Sequence, residues 1–410
     1  MSLLSRFAPV GAVLTLAAVV AHAVGAEDPP QRWWKGNTHT HTLWSDGDGA
    51  PDLVVDWYRA RGYAFLALTD HNQLQEEERW FPIKDGTRLD DARVAALRAR
   101  FGAARVDVGE RGLRLATLDA LRKDFEAPGQ FLLVKAEEVT ASYREVGEAG
   151  ARARDYPVHI NALNIDALVP PRGSTSPAAL MNAALAAIRA EGERAQKPVV
   201  AHVNHPNFKW GLDWEDLATI EGLGFFEVYN GHRGTQLDGD ETRPSTERIW
   251  DLALTRRLGA GGELLYGVAT DDAHDYHGGA TSRPGRGWIQ VRARTLAGDA
   301  LMQAMLAGDF YASSGVTLED VALDTAAYTV DVLEPGCTVE FIGARKGGEP
   351  GALLASTTED PAVYRFGGDE LYVRARVTSQ VLHSDPNVEG EPQRAWTQPV
   401  RGPWRPRAGR

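Results

Sequence analysis

Histidines and carboxylates recur along this sequence at positions that suit divalent metal ions. His39-Thr40-His41 ends one apolar run, with Asp46 close behind in Ser45-Asp46-Gly47. Asp70 and His71 end the next, in Leu68-Thr69-Asp70-His71-Asn72, and Glu137 and Glu138 follow a third. His159 opens a fourth, His202 and His205 end a fifth, and Asp272 and His274 end a seventh. Residues two apart on a strand point to the same side, so His39 and His41 can grip one ion together. Imidazole and carboxylate donors suit zinc, iron or manganese, and a bridging carboxylate can hold two such ions close. A single HxH pair is weak evidence, because histidine is commonly partly buried in cores. Repetition of the same donors after successive apolar runs is not explained that way.

Donors so far apart in sequence can meet only in a fold that gathers strand ends. A β/α barrel does this, because its strands converge on one mouth. The apolar runs predict strands over Trp33 to Thr38, Ala64 to Thr69, Phe131 to Ala136, Val158 to Leu163, Pro198 to Val203, Gly224 to Tyr229 and Leu264 to Ala269. Helices are predicted over Pro51 to Arg61, Ser176 to Glu191, Thr246 to Arg257 and Ala297 to Ala307. The barrel domain is expected over 27–312, with a mostly helical insertion at 85–126 beside its mouth. From 313 to 410 the pattern alternates in strand fashion between glycine and proline turns, which predicts a small β-rich domain. Its end, Pro386 to Arg410, reads as a loop or a frayed tail.

A chain of 410 residues, 43% of them apolar, can bury a large core. The net charge of -12 offers no basic field for nucleic acid and favours a small-molecule substrate. One cysteine, Cys337, excludes an intrachain disulfide and a thiolate metal cluster. Arg6, the apolar run Val10 to Val20 and Val24-Gly25-Ala26 together read as a signal peptide over 1–26. That implies a periplasmic or secreted protein. The run is short against the roughly 20 residues a membrane span needs, which argues against an uncleaved anchor, and no later segment is long and apolar enough to span, so no span is expected after signal removal. Nothing in the sequence sets an oligomeric state.

Five stretches carry a family resemblance: Asn37-Thr38-His39-Thr40-His41-Thr42-Leu43-Trp44-Ser45-Asp46-Gly47, Leu68-Thr69-Asp70-His71-Asn72, Glu138-Val139-Thr140, Asn204-His205-Pro206 and Thr270-Asp271-Asp272-Ala273-His274. Together they resemble the PHP superfamily, named for polymerase and histidinol phosphatase domains, over roughly Trp34 to Phe310. The resemblance implies an α/β fold, a distorted seven-stranded (β/α) barrel, here followed by the small C-terminal β-rich domain, and a centre of two or three divalent ions. It assigns the first ion to His39, His41, Glu138 and Asp272, the second to Glu138, His159 and His205, and the third to Asp46, His71 and His274. It selects Glu138 over Glu137 because Val139-Thr140 follows, and His205 over His202 because Pro206 follows. The runs Glu227 to His232, Ile249 to Leu254 and Ala395 to Val400 are similar to the exported, carbaryl-hydrolase-like branch.

The expected function is therefore metal-dependent hydrolysis, with zinc, manganese or iron as the ion. A phosphate ester comes first among substrates, because clustered cations offset the charge of a transferring phosphoryl group. Carbamate, amide or carboxylic ester hydrolysis is the alternative. A non-catalytic metal-bearing surface-binding protein is a reading of another class, and the complete donor set argues against it. His232, after the sixth strand, is expected to protonate the leaving group. Arg233, with Arg283 and Arg286, is expected to bind an anionic substrate, and Asp70 to act in catalysis beside the ions.

Overall fold

The computed structural model describes residues 29–145, 153–174 and 176–402. The expected signal peptide over 1–26 lies outside the described residues. The chain begins with β1 (Arg32–Asn37), α1 (Pro51–Arg59) and β2 (Phe65–Leu68). Pro51 opens α1 with a ready-made helical φ, and Val54, Val55 and Tyr58 give the helix one buried face. β2 is apolar and buried throughout, as befits a strand covered on both sides. The segment expected to be mostly helical carries α2 (Asp91–Phe101) and α3 (Leu118–Phe125). It also carries β4 (Val108–Gly109) and β5 (Gly112–Arg114), which form a small sheet with β3 (Trp80–Phe81) just before the segment.

Five more strands and three helices complete the part that holds the donors: β6 (Leu132–Glu145), β7 (Arg154–Leu163), α4 (Pro177–Ala195), β8 (Val200–Val203), α5 (Trp214–Thr219), β9 (Phe225–Asn230), α6 (Thr246–Gly259) and β10 (Tyr266–Thr270). The seven strands predicted from apolar periodicity are thus present, in the order β10-β9-β8-β7-β6-β2-β1. Neighbours pair in parallel except around β7, which runs against both β6 and β8. The reversal is seen in the antiparallel β6–β7 register, which runs from Ala136 opposite Leu163 to Glu145 opposite Arg154. It places the start of β7 level with the carboxyl ends of its neighbours.

On that same side β1 and β10 meet through a parallel bridge between Thr40 and Ala273. His41 N–H donates to the Ala273 carbonyl at 2.9 Å, and Asp272 N–H to the His39 carbonyl at 3.0 Å. Among the described residues, the strand ladder does not close on itself elsewhere. β1 continues antiparallel into β11 (Trp288–Ala293), and, after α7 (Gly298–Ala307), β12 (Phe310–Ser313) extends the sheet. The expected separate barrel is therefore part of one thirteen-stranded sheet.

The remaining strands are β13 (Leu318–Leu323), β14 (Ala327–Val332), β15 (Thr338–Arg345), β16 (Ala352–Thr357), β17 (Ala362–Arg365), β18 (Glu370–Leu382) and β19 (Pro392–Thr397). β19 falls where a loop or frayed tail was expected, yet it pairs with both β12 and β18 and buries Ala395 and Trp396. Buried charge fastens α6 to β18: the Arg374 guanidinium holds the Asp251 carboxylate at 2.7 and 2.9 Å, and Tyr372 OH donates to it at 2.8 Å. Removing one partner of such a pair leaves an uncompensated buried charge. No helix among the described residues is long and apolar enough to cross a membrane.

Candidate metal centre

The donors meet where the strand ends converge. Alternation along β6 sends Glu137 and Glu138 to opposite faces. Glu138 is fully buried, with carboxylate oxygens 2.6 Å from His71 Nδ1, 2.9 Å from His159 Nδ1, 3.4 Å from His39 Nε2 and 3.5 Å from His41 Nε2. His159 reaches this point because β7 runs backwards and pairs it with Thr140. Glu137 instead accepts from Val169 N–H on the other face, and burial pushes its carboxyl up to about 7.

Asp272 Oδ1 lies 3.2 Å from His41 Nε2 and 3.3 Å from His39 Nε2. Asp46 stands between His274, His71 and His41 at 3.2, 3.4 and 3.6 Å. Four overlapping sets have all their donor atoms within 4.8 Å of one another. They are His41, Asp46, His71 and His274; His39, His205 and Asp272; His39, His41 and Glu138; and His71, Glu138 and His159. All nine positions named by the resemblance lie in these sets, with a different partition. His41 also joins Asp46, and His205 stands with His39 and Asp272, its Nε2 being 3.7 Å from Glu138. His202 is buried outside the sets, and neither of its ring nitrogens finds a hydrogen bond of ordinary length.

Ring tautomers test whether these residues suit cations. A carbonyl oxygen can only accept, so His274 Nδ1, 2.8 Å from the Asp272 carbonyl, carries the proton. In the neutral ring the Nε2 lone pair then faces the Asp46 carboxylate. His39 Nδ1 donates to Glu227 at 2.7 Å, which turns its Nε2 lone pair toward Glu138, Asp272 and His41 Nε2, the last 3.2 Å away. Lone pairs facing carboxylates require positive charge between them. When protons supply it, the imidazoles are driven apart in basicity. Burial lowers His39, but Asp272, Glu227 and Glu138 outweigh it and hold the ring well above its ordinary value. Burial is likewise outweighed at His71, which Glu138 and Asp46 push up to about 11. His41, buried beside His274 and His71, falls to about 4. Divalent ions meet the same need with every ring neutral, and a donor set of imidazole and carboxylate without thiolate fits zinc, manganese or iron. His205 and Asp272 hold left-handed φ values of 27° and 48°, so the surrounding structure forces both donors into strained backbone.

Glu227 was not singled out from the sequence, although it organises the centre. Its two oxygens accept from His39 Nδ1, His205 N–H, Asn230 Nδ2 and Thr270 Oγ1, each at 2.7 Å. The available signal was an acid inside the otherwise apolar run Phe225 to Tyr229, since burying a carboxylate is costly unless it is paired. Carboxylates behind ligating histidines fix ring orientation and tautomer in this manner.

Two expected catalytic residues do other work. Asp70 is buried outside the donor sets, and its oxygens accept from Thr42 N–H at 2.8 Å, Thr42 Oγ1 at 2.9 Å, Ser45 Oγ at 2.6 Å and Gln75 Nε2 at 2.8 Å. It shapes the loop that presents Asp46. Arg233 is turned away to the Pro386 carbonyl and the Asp385 carboxylate, at 3.2 and 3.8 Å. A cavity of about 230 Å³ opens over the donors, lined by Asp46, His71, Glu138, His159, His205, Asp272 and His274 together with Phe208 and His232. Among the described residues, no lysine or arginine is in that lining. His232 Nδ1 accepts from Gly234 N–H at 2.9 Å, so the neutral ring carries its proton on Nε2. Burial, aided by His274 and His205 against the pull of Asp272, lowers its basicity and favours that neutral form.

No protein-family model matches this chain, and no curated protein matches it. Among solved structures, it is similar to a two-domain protein from Bacteroides vulgatus containing a predicted PHP-like metal-dependent phosphoesterase. The identity is 16%, the match covers 94% of this chain and 100% of that one, and the TM-score is 0.38. It is also similar to a protein from Bifidobacterium adolescentis inferred to be a metal-dependent phosphoesterase, at 15% identity, 62% and 94% coverage and a TM-score of 0.32. A third similarity is to an amidohydrolase from Chromobacterium violaceum with bound sulfate and no metal, at 17% identity, 59% and 88% coverage and a TM-score of 0.28.

Proposed function

We propose that this chain is a metal-dependent hydrolase of PHP type, acting on small phosphate esters. One observation carries the reading: neutral imidazole lone pairs and buried carboxylates converge on a small open cavity, an arrangement that calls for cations. His39, His41, Glu138, Asp272, His205, His159, His71, Asp46 and His274 would hold two or three divalent ions. Bound there, the ions supply Lewis acidity, acidifying a water and drawing charge from the oxygen of the scissile group.

The rest of the chemistry falls to the chain. Glu227 keeps His39 in the tautomer that faces the centre, and Asp70 keeps the Asp46 loop in place. His232 offers Nε2–H to the leaving-group or phosphoryl oxygen as a hydrogen bond from a neutral ring. This differs from the expected proton transfer, which would need an imidazolium. Phe208, edge-on to His205 with centroids 5.1 Å apart, walls the cavity against water. Among the described residues of the lining there is no lysine or arginine, which leaves the ions and His232 to meet a substrate anion there. Three divalent ions would outweigh the buried carboxylates, which favours a phosphoryl group.

Carbamate, amide or carboxylic ester hydrolysis is the second reading, favoured by the Phe208 wall and the uncharged donor. p-Nitrophenyl phosphate, a bis-p-nitrophenyl diester and a 1-naphthyl carbamate, each assayed with manganese, iron or zinc, separate the two. Turnover of the carbamate alone would overturn the phosphoesterase reading. Export to the periplasm or beyond belongs to the same proposal, and cell fractionation tests it.

A further inference from the structure

The three arginines expected to bind an anionic substrate already hold an anion belonging to the chain itself. Asp385 lies in the loop 383–391 that joins β18 to β19. Its carboxylate is 3.2 Å from Arg286 Nη2, 3.5 Å from Arg283 Nη1 and 3.8 Å from Arg233 Nη2. Arg286 is fully buried and also donates to the Gly231 and Thr281 carbonyls at 2.7 and 2.9 Å. It therefore ties the loop both to the segment before His232 and to the segment after His274.

Two residues beyond Asp385, Asn387 turns its amide onto the centre's own backbone. Asn387 Nδ2 donates to the Asn230 carbonyl at 2.7 Å and to the His232 carbonyl at 3.2 Å. The residues it spans are those that matter: Asn230 Nδ2 bonds Glu227 and Asp272, Asn230 Oδ1 accepts from His232 N–H, and the His232 ring lines the cavity. The loop itself is steadied by Glu391, whose Oε2 accepts from Asn387 N–H at 3.0 Å and Tyr229 OH at 3.5 Å.

From this geometry we infer that the β18–β19 loop is a built-in part of the hydrolytic centre, with Asn387 as a positioning residue that holds the His232 backbone in the turn where Gly234 N–H reaches Nδ1, and so keeps the ring's rotation and its Nε2–H tautomer. The C-terminal strands thereby complete the site on the cavity's His232 side. Asp385, clamped by the arginines, fixes the loop in the register that lets Asn387 reach both carbonyls.

The inference rests on His232 acting as a donor in that centre, so the test has one arm that needs no substrate. The metal-loaded full chain carrying ¹⁵N-labelled histidine reports the His232 tautomer, which is the Nε2–H form in the wild type. Asn387→Ala, and Asn387→Asp, which keeps the size but sets a carboxylate against two carbonyls, should each give a mixture of tautomers with metal content unchanged. In turnover, Asn387→Ala should lower kcat about tenfold or more with KM nearly constant, as a small misplacement of a reacting group does. The loss should vanish when His232 is already alanine, because both residues act through one ring. An unaltered His232 signal in both variants, multiplicative losses in the double variant, or metal loss accompanying the loss of kcat would each overturn the inference. A protein that hydrolyses none of the test substrates would still show the tautomer change, so failure of the phosphoesterase reading is read separately.

Discussion

Glu227→Gln is the sharpest perturbation of the centre, because it alters one atom and leaves the volume intact. The carboxylate accepts two donors at each oxygen: His39 Nδ1 and Thr270 Oγ1 at Oε1, and His205 N–H and Asn230 Nδ2 at Oε2. An amide nitrogen placed at Oε2 would face two donors and leave both unpaired, at about 1–3 kcal/mol each. Placed at Oε1 instead, it would face His39 and force the proton onto Nε2, the nitrogen turned toward the ions. The first orientation costs fold stability and the second costs metal. The expected outcome is a loss of about 2 kcal/mol or more in denaturant unfolding in the first orientation, or a metal affinity reduced about 10- to 100-fold in the second, the usual effect of removing the carboxylate behind a ligating histidine. Competition against a chelating dye measures the affinity, and urea titration of the metal-free and loaded forms measures the stability. Wild-type affinity and stability in the Glu227→Gln variant would refute this account of how the centre is oriented.

Three further outcomes are expected. Glu137 titrates near 4.5 when unfolded and near about 7 when folded, so between those values the folded state keeps a proton that the unfolded state has released. Stability therefore falls as pH rises from about 4.5 to about 7, and Glu137→Gln should remove that slope and gain on the order of 2 kcal/mol at pH 8. Unfolding midpoints at pH 5 and pH 8 check this. His202→Leu should keep full metal content and lie within about 1 kcal/mol of wild type, because neither ring nitrogen makes a hydrogen bond of ordinary length and His202 stands outside the donor sets, whereas His205→Ala should lose metal; elemental analysis of the two side by side decides. Asp70→Asn should loosen the Thr42–Ser45 loop and weaken binding at Asp46, lowering metal stoichiometry with little change in secondary structure by circular dichroism.

Much of this arrangement was legible in the sequence where local periodicity and local chemistry coincide. The seven strands that carry the donors stand out because each is a short apolar run ending in polar residues, which brings His39, His41, Asp46, His71, His159, Asp272 and His274 into view, while the choice of Glu138 over Glu137 and of His205 over His202 came from the family resemblance. Strand direction was not legible: β7 reads as another barrel strand, and only the hairpin pairing reveals that His159 arrives from the opposite sense. Glu227 was hidden because an acid within an apolar run does not announce whether it is paired. Arg233 and Arg286 misled because the pattern shows a cation but not the partner that neutralises it, here Asp385 from a loop about 100 residues or more downstream. β19 was hidden by its composition, since Pro392 and Arg394 resemble a tail until the pairing with β12 and β18 is seen.

Metal stoichiometry tests the central claim most directly. Elemental analysis after dialysis against manganese, zinc or iron should find two or three ions per wild-type chain, and His39→Ala and Asp272→Ala should lose metal and turnover together while staying folded. A wild-type chain that retains less than one ion, or full activity in either variant, would contradict it.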